Sequence, residues 1–264
     1  MEDIKSSLMT YEEYSERSIT PGKSYIYEIE KDDRVLYYIG VAHIYNLTDQ
    51  QIEGMRTKFA EFVQKTSGRD RIVLVEGGIR PVAESEEEAM KSGGEPNLVT
   101  FWAAGENIDI FSPEPDRQQE ANHLLEQFSK EEVMHYYFAR QVNQWNLMKR
   151  PVTLDTHMER TLKRHQDLLN WEGFDFSLEN MIKIHQQIIG KEFNPEDWQL
   201  FQDLSDPRKN IAAANKVCAE SSRFRDTHIV SEILRLWGEK KNIFIVYGRT
   251  HAIMQEPALR KLLI

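Results

Sequence analysis

Two histidines follow a glycine at the same spacing. They are His43 in "IGVAH", after Gly40, and His251 in "YGRTH", after Gly248. Both motifs come directly after apolar runs, and a third such run, "IVLVE", ends in Glu76 ahead of Gly77 and Gly78. An imidazole titrates near neutral pH, so it can take a proton, pass one on or ligate a metal. A carboxylate at the end of a buried run loses hydration and needs a partner to stay charged. Two imidazoles and one carboxylate have two chemical readings. They can hold a divalent metal that keeps an open position. They can also act without metal, one histidine serving as general base towards water or a substrate hydroxyl. Spacing alone leaves both open.

Other residues could serve the same site. Glu114, in "SPEPD", offers a second carboxylate in a rigid turn. Arg223 and Arg225 precede Asp226 in "RFRDTHI". Asp226 is a fitting N-cap for a new helix, and Arg225 could clamp a substrate carboxylate or stabilise an oxyanion. Arg249 places a further cation inside the closing motif. His228 and Glu232 read as an exposed i, i+4 pair. His123, His135, His157, His165 and His185 fall on expected helices without convergent spacing and read as surface or packing residues. Cys218 reads as a small buried hydrophobe rather than a reactive thiol.

The elements that must position these residues are legible from periodicity. Residues 24–29 and 34–39 are β-rich, with "EKDD" between them, and predict a hairpin. Thr48 or Asp49 can cap a helix in which Ile52, Met55, Phe59, Phe62 and Val63 keep helical spacing, and which ends by Gly68. Residues 71–75 form a short buried strand, completing a strand–helix–strand unit of a parallel sheet. Residues 77–95 predict a loop carrying an exposed helix, residues 98–107 a helix, and residues 108–111 a third short strand. Helices are expected near 118–128, 130–148, 154–169, 178–189, 207–219 and 226–237, separated by proline- and glycine-bearing breaks. Residues 242–247 read as the last strand, and "MQEPALRKLLI" as a closing helix with Pro257 near its start.

This order predicts an α/β protein: a mostly parallel central sheet with an N-terminal hairpin and a large helical insertion, 117–238, before the last strand. The expectation is one domain, 1–264. Ligands of open parallel sheets bind beyond the carboxyl ends of the strands. Gly40, Glu76, Ser112 and Gly248 each stand at such an end. His43, Glu76, Glu114 and His251 are therefore expected on one rim.

The chain of 264 residues carries a formal net charge of −10 and a single cysteine. That balance argues against binding a nucleic-acid backbone, and one cysteine allows no internal disulfide. The first residues lack a basic segment followed by an apolar one, and no stretch of 18 apolar residues occurs. The expectation is a soluble cytoplasmic protein without a membrane span.

Taken in order, "IGVAH", "VLVEGG", "RFRDTHI" and "VYGRTH" resemble the superfamily of erythromycin esterase, TraB, Tiki and ChaN proteins, over about residues 24–260. Here "RD" stands where "RN" is common, and Arg249 stands where a smaller residue would leave more room. The resemblance implies an α/β core with a helical insertion and a site at the strand ends. Its members include esterases acting on macrolide lactones, Tiki-type metalloproteases using a divalent metal, and ChaN-like proteins that bind haem iron. The function expected is hydrolysis of an ester or peptide bond, with or without a divalent metal, on a small-molecule or peptide substrate. His43, Glu76, His251 and Arg225 would be catalytic, and Glu114, Asp226 and Arg249 would bind substrate. The alternative is a protein that holds a metal, haem or small molecule on the same rim without turnover.

Overall fold

The computed structural model describes residues 2–42, 46–148 and 152–264. His43, the first histidine of the expected site, lies outside the described residues. The chain divides into two compact units: residues 1–114 with 226–264, and residues 115–225. The span expected as one insertion, 117–238, is thus shared, and its last thirteen residues, 226–238, belong to the first unit.

The first unit is built on a five-stranded sheet of β1 (Tyr25–Lys31), β2 (Arg34–Val41), β3 (Arg71–Val75), β4 (Asp109–Phe111) and β5 (Asn242–Gly248), in the order β1-β2-β5-β3-β4. β1 and β2 form the antiparallel hairpin, and every other neighbouring pair is parallel. Side chains alternate between faces along a strand. Here both faces are covered, which is why the strands read as unbroken apolar runs. Leu36, Tyr38, Ile243, Ile245 and Leu74 pack on one face against residues 229–237 and the closing helix. Tyr37, Ile39, Phe244, Val246 and Val73 pack on the other, against α3 (Gln50–Lys65) and α4 (Glu86–Gly105). The short α1 (Glu2–Lys5) and α2 (Tyr11–Glu16) precede the sheet.

α3 starts where expected, with the Asp49 carboxylate accepting from Gln51 N–H. α4 joins the exposed acidic helix to the one expected at 98–107 across Gly94, whose φ of 66° is easy for glycine. α11 (Arg249–Leu263) begins directly at the end of β5, so Pro257 lies inside it, not near its start. The early position expected for Pro257 is corrected: the helix begins at the strand exit, eight residues upstream of the proline.

The second unit is helical: α5 (Arg117–Leu125), α6 (Lys130–Leu147), α7 (Leu154–Leu169), α8 (Leu178–Ile189), α9 (Trp198–Leu204) and the first half of α10 (Ala213–Gly238). It has its own core, including Leu124, Met134, Phe138, Met158, Met181, Phe201 and Val217. Ser129 and Glu132 close a capping box on α6, and Asn170 and Gly190 end α7 and α8 in left-handed conformations.

Two expectations fail here. α9 lay unseen in a proline-flanked stretch, because a seven-residue helix anchored by Phe201 and Leu204 is too short to show periodicity. Asp226 does not cap a new helix: α10 runs unbroken from 213 to 238. The carboxylate is used by side chains instead of by a first turn of backbone N–H groups. Among the described residues no helix is long and apolar enough to cross a membrane.

Candidate active site

β3 and β5 are adjacent and parallel, with Val75 opposite Val246. Their exits therefore deliver Glu76 and the Gly248–His251 turn to the same edge of the sheet. The Glu76 carboxylate reaches across: Gly248 N–H donates to Oε2 at 2.7 Å. That N–H opens α11, whose positive end attracts a carboxylate. Glu76 thereby finds the partner that its place at a strand end demanded. α11 has no side-chain cap at Gly248. A Cβ on Gly248 would come 3.2 Å from Glu76 Oε2 and 3.8 Å from His251 Cδ2, so the glycine admits both groups.

His251 stands in the first turn of α11. Its Nδ1 lies 2.6 Å from Asp226 Oδ1, on α10. With Asp226 ionised the proton sits on Nδ1, leaving the Nε2 lone pair facing away from the aspartate. Nε2 is 3.8 Å from Glu76 Oε1. That gap is longer than a direct hydrogen bond and short enough for one oxygen atom to hydrogen-bond both groups. The side chains are 14% exposed for His251, 25% for Glu76 and 3% for Asp226, so solvent reaches the imidazole and Glu76 but not the aspartate.

Behind this pair runs a buried relay. Gln255, one helical turn after His251, donates from Nε2 to Asp226 Oδ1 at 2.6 Å. Tyr38 OH, from the middle of β2, donates to Gln255 Oε1 at 2.8 Å. Burial pushes the Tyr38 hydroxyl well above its ordinary value, which keeps it a donor. Each member is fixed by the next, so the imidazole is held in one orientation. Sequence reasoning passed over Tyr38 and Gln255. The i, i+4 spacing of His251 and Gln255 was the available signal.

Gly40, the glycine of the first motif, has a packing role. A Cβ there would lie 2.5 Å from Ala252 Cβ and 3.1 Å from Arg249 Cα, so the missing side chain lets the start of α11 rest on β2. The glycine of the first motif thus packs on the helix that carries the second.

The remaining candidates are placed as follows. Glu114 is half-buried beyond the end of β4, on the edge strand beside β3. The two strand exits are tied by Gly78 N–H donating to Ser112 Oγ at 3.0 Å. The Arg249 guanidinium donates to the carbonyls of Thr20 and Lys23, at 2.8 and 2.9 Å. Arg225 is the last residue of the helical unit, where its charge acts on Arg140 and Cys218. Cys218 is buried, and burial pushes its thiol up to about 11, in keeping with an inert packing residue. The structure therefore brings together Glu76, Asp226 and His251.

The metal reading needs His43, which lies outside the described residues; among the described residues no group of three histidine, cysteine, aspartate or glutamate side chains is arranged to hold an ion. Asp226 Oδ1, which two side chains already share, serves as a hydrogen-bond acceptor.

The arrangement can do acid–base chemistry. It contains an imidazole of fixed orientation, a carboxylate that sets it, and a second carboxylate 3.8 Å from Nε2, where one oxygen atom beside the pair can hydrogen-bond both. Comparison of the chain with family models, with curated proteins and with solved structures found no match.

Proposed function

We propose that the protein is a hydrolase of ester or peptide bonds, with His251 as general base. The observation that carries this reading is the 2.6 Å contact between Asp226 and His251 Nδ1 on a buried relay, with Nε2 aimed towards Glu76. A water held by Nε2 and Glu76 Oε1 loses a proton to the imidazole as its oxygen attacks the substrate carbonyl. Asp226 is a positioning residue that favours the imidazolium so formed, and Glu76 orients the water. Negative charge developing on the carbonyl oxygen is favoured by the positive end of α11, beyond the Gly248 N–H that Glu76 takes. The proton then passes from His251 to the leaving group. The order of the four motifs resembling the erythromycin esterase, TraB, Tiki and ChaN superfamily supports the same class of reaction. The net charge of −10 favours a neutral or cationic small molecule or peptide over nucleic acid.

The test is a panel of activated esters and chromogenic peptides turned over by the wild type, His251→Ala and Glu76→Gln. Wild-type turnover that falls in both variants, with unchanged thermal melting, supports the reading. A wild type that binds ligand at the rim but hydrolyses nothing would replace it with that of a binding protein.

A further inference from the structure

The helical unit holds a second concentration of functional groups, which the strand-end chemistry does not use. A cavity of about 420 Å³ is lined by Tyr137 and Arg140 from α6, by His157, Arg164 and His165 from α7, and by Arg117 at the start of α5. That volume is within the range in which small molecules bind. The α7 residues recur at i, i+7 and i+8, and the α6 pair at i, i+3, so each helix turns one face to the cavity.

The charges there are not balanced within the fold. Arg117 lies 3.4 Å from Glu120. Arg140 contacts Tyr136, donating to its hydroxyl at 3.2 Å and lying 5.7 Å from its ring centroid. Among the described residues no carboxylate is in ion-pair range of Arg140 or Arg164. His165 shares this lining with the three arginines: burial lowers it to about 4, opposed by its hydrogen bond with the Thr161 carbonyl and assisted by the charges of Arg117, Arg164 and Arg140. Two polar atoms at the cavity are buried without a hydrogen-bond partner among the described residues, the hydroxyl of Tyr137 and Nε2 of His157. Tyr137 is only 5% exposed. A guanidinium with no carboxylate beside it offers its charge to an anion, Arg140 from a half-buried position and Arg164 from an exposed one. A ligand that brings negative charge and several acceptor oxygens meets both.

We propose that this cavity is a binding site for a small phosphate monoester. With Arg117 matched by Glu120, two guanidinium charges remain, and a phosphate monoester carries roughly −1.5 to −2 at pH 7. Guanidinium forks fit pairs of phosphate oxygens, while a carboxylate would offset only one of the two charges. The rings of Tyr137 and His165, both lining the cavity, stack on each other at 5.1 Å and 20° and brace α6 against α7 on that side.

The test is isothermal titration of the full chain with phenyl phosphate in phosphate-free buffer, with benzoate and phenol alongside. The expected result is saturable phenyl phosphate binding at about 1 mM or tighter, with benzoate at least about tenfold weaker and phenol silent. Arg164→Gln, an exposed position, should weaken phenyl phosphate binding about tenfold or more without altering the fold, and Arg140→Gln should do the same. Lys183→Gln, an exposed cation elsewhere on the unit, and His251→Ala should leave it unchanged. The second of these separates the site from the hydrolase reading. No saturable heat up to about 10 mM, benzoate binding as tightly as phenyl phosphate, or full affinity in Arg164→Gln would overturn the assignment.

Discussion

In the sheet unit, His251 stands 2.6 Å from a buried carboxylate and keeps one nitrogen directed towards a second acid. In the helical unit, His135 and His185 stand 3.1 Å apart in full burial, each with the other as its imidazole partner. Burial pushes His135 down to about 3, with the charge of His185 acting in the same direction, and pushes His185 down to about 4. The same side chain is thus held ready for proton transfer in one place and held neutral in the other. What differs is the partner. A carboxylate gives the imidazole an orientation and favours its charged form, while a second imidazole in an apolar core orients it without favouring charge.

The contrast is broken most directly at His251. His251→Ala should lower kcat by about 10²–10⁴ on whatever ester or peptide the wild type hydrolyses. Asp226→Asn should approach the same loss, because the amide no longer selects the tautomer or offsets the imidazolium charge. Rates in either variant within a factor of a few of wild type would deny the imidazole its catalytic role.

The neutral pair is exposed by acid. Both folded values lie below the ordinary 6.5, so between about 6.5 and about 4 the unfolded chain binds more protons than the folded one. Stability is full above 6.5 and is lost as pH falls, by on the order of 1 kcal/mol per pH unit for each histidine. Urea midpoints measured from pH 7 to pH 4.5 should fall more steeply for the wild type than for a His135→Leu, His185→Leu double variant. Equal slopes would mean that the pair is hydrated.

Gly40→Ala sharpens the role of the glycine–histidine motif. With Ala252 Cβ 2.5 Å from the added methyl, either β2 or α11 must shift. A loss of about 1–3 kcal/mol in urea unfolding is expected, as for other overpacked cores. A neutral result would show that the strand–helix contact is loose. Tyr38→Phe should have the smallest effect, about 1 kcal/mol, from the lost hydrogen bond to Gln255. A double variant with Gln255→Leu that loses no more than the sum of the single losses would show that the relay is not coupled.

Much of this was legible in the residues themselves. Strands β2, β3 and β5 announced themselves as apolar runs because both faces of a parallel sheet are buried, and β3 emerged with the bounds that periodicity assigned to it. The rim was legible as well, since parallel strands bring their carboxyl ends to one edge whatever their distance in the chain. Of the four residues expected there, Glu76 and His251 stand 3.8 Å apart, while His43 lies outside the described residues. The short α9 and the unbroken α10 were not legible, because a seven-residue helix shows no period and a good capping residue can stand mid-helix when its side chain is engaged elsewhere.

The order of residues along the chain was enough to establish the sheet, its direction and the edge on which an acid and an imidazole would emerge. It could not say which nitrogen of His251 faces which carboxylate, that Gln255 and Tyr38 stand behind Asp226, or that three arginines from three helices share one cavity. Local periodicity reports which face of an element is buried. The partner that a polar side chain meets there comes from segments far away in sequence, and their meeting is decided only when the layers pack.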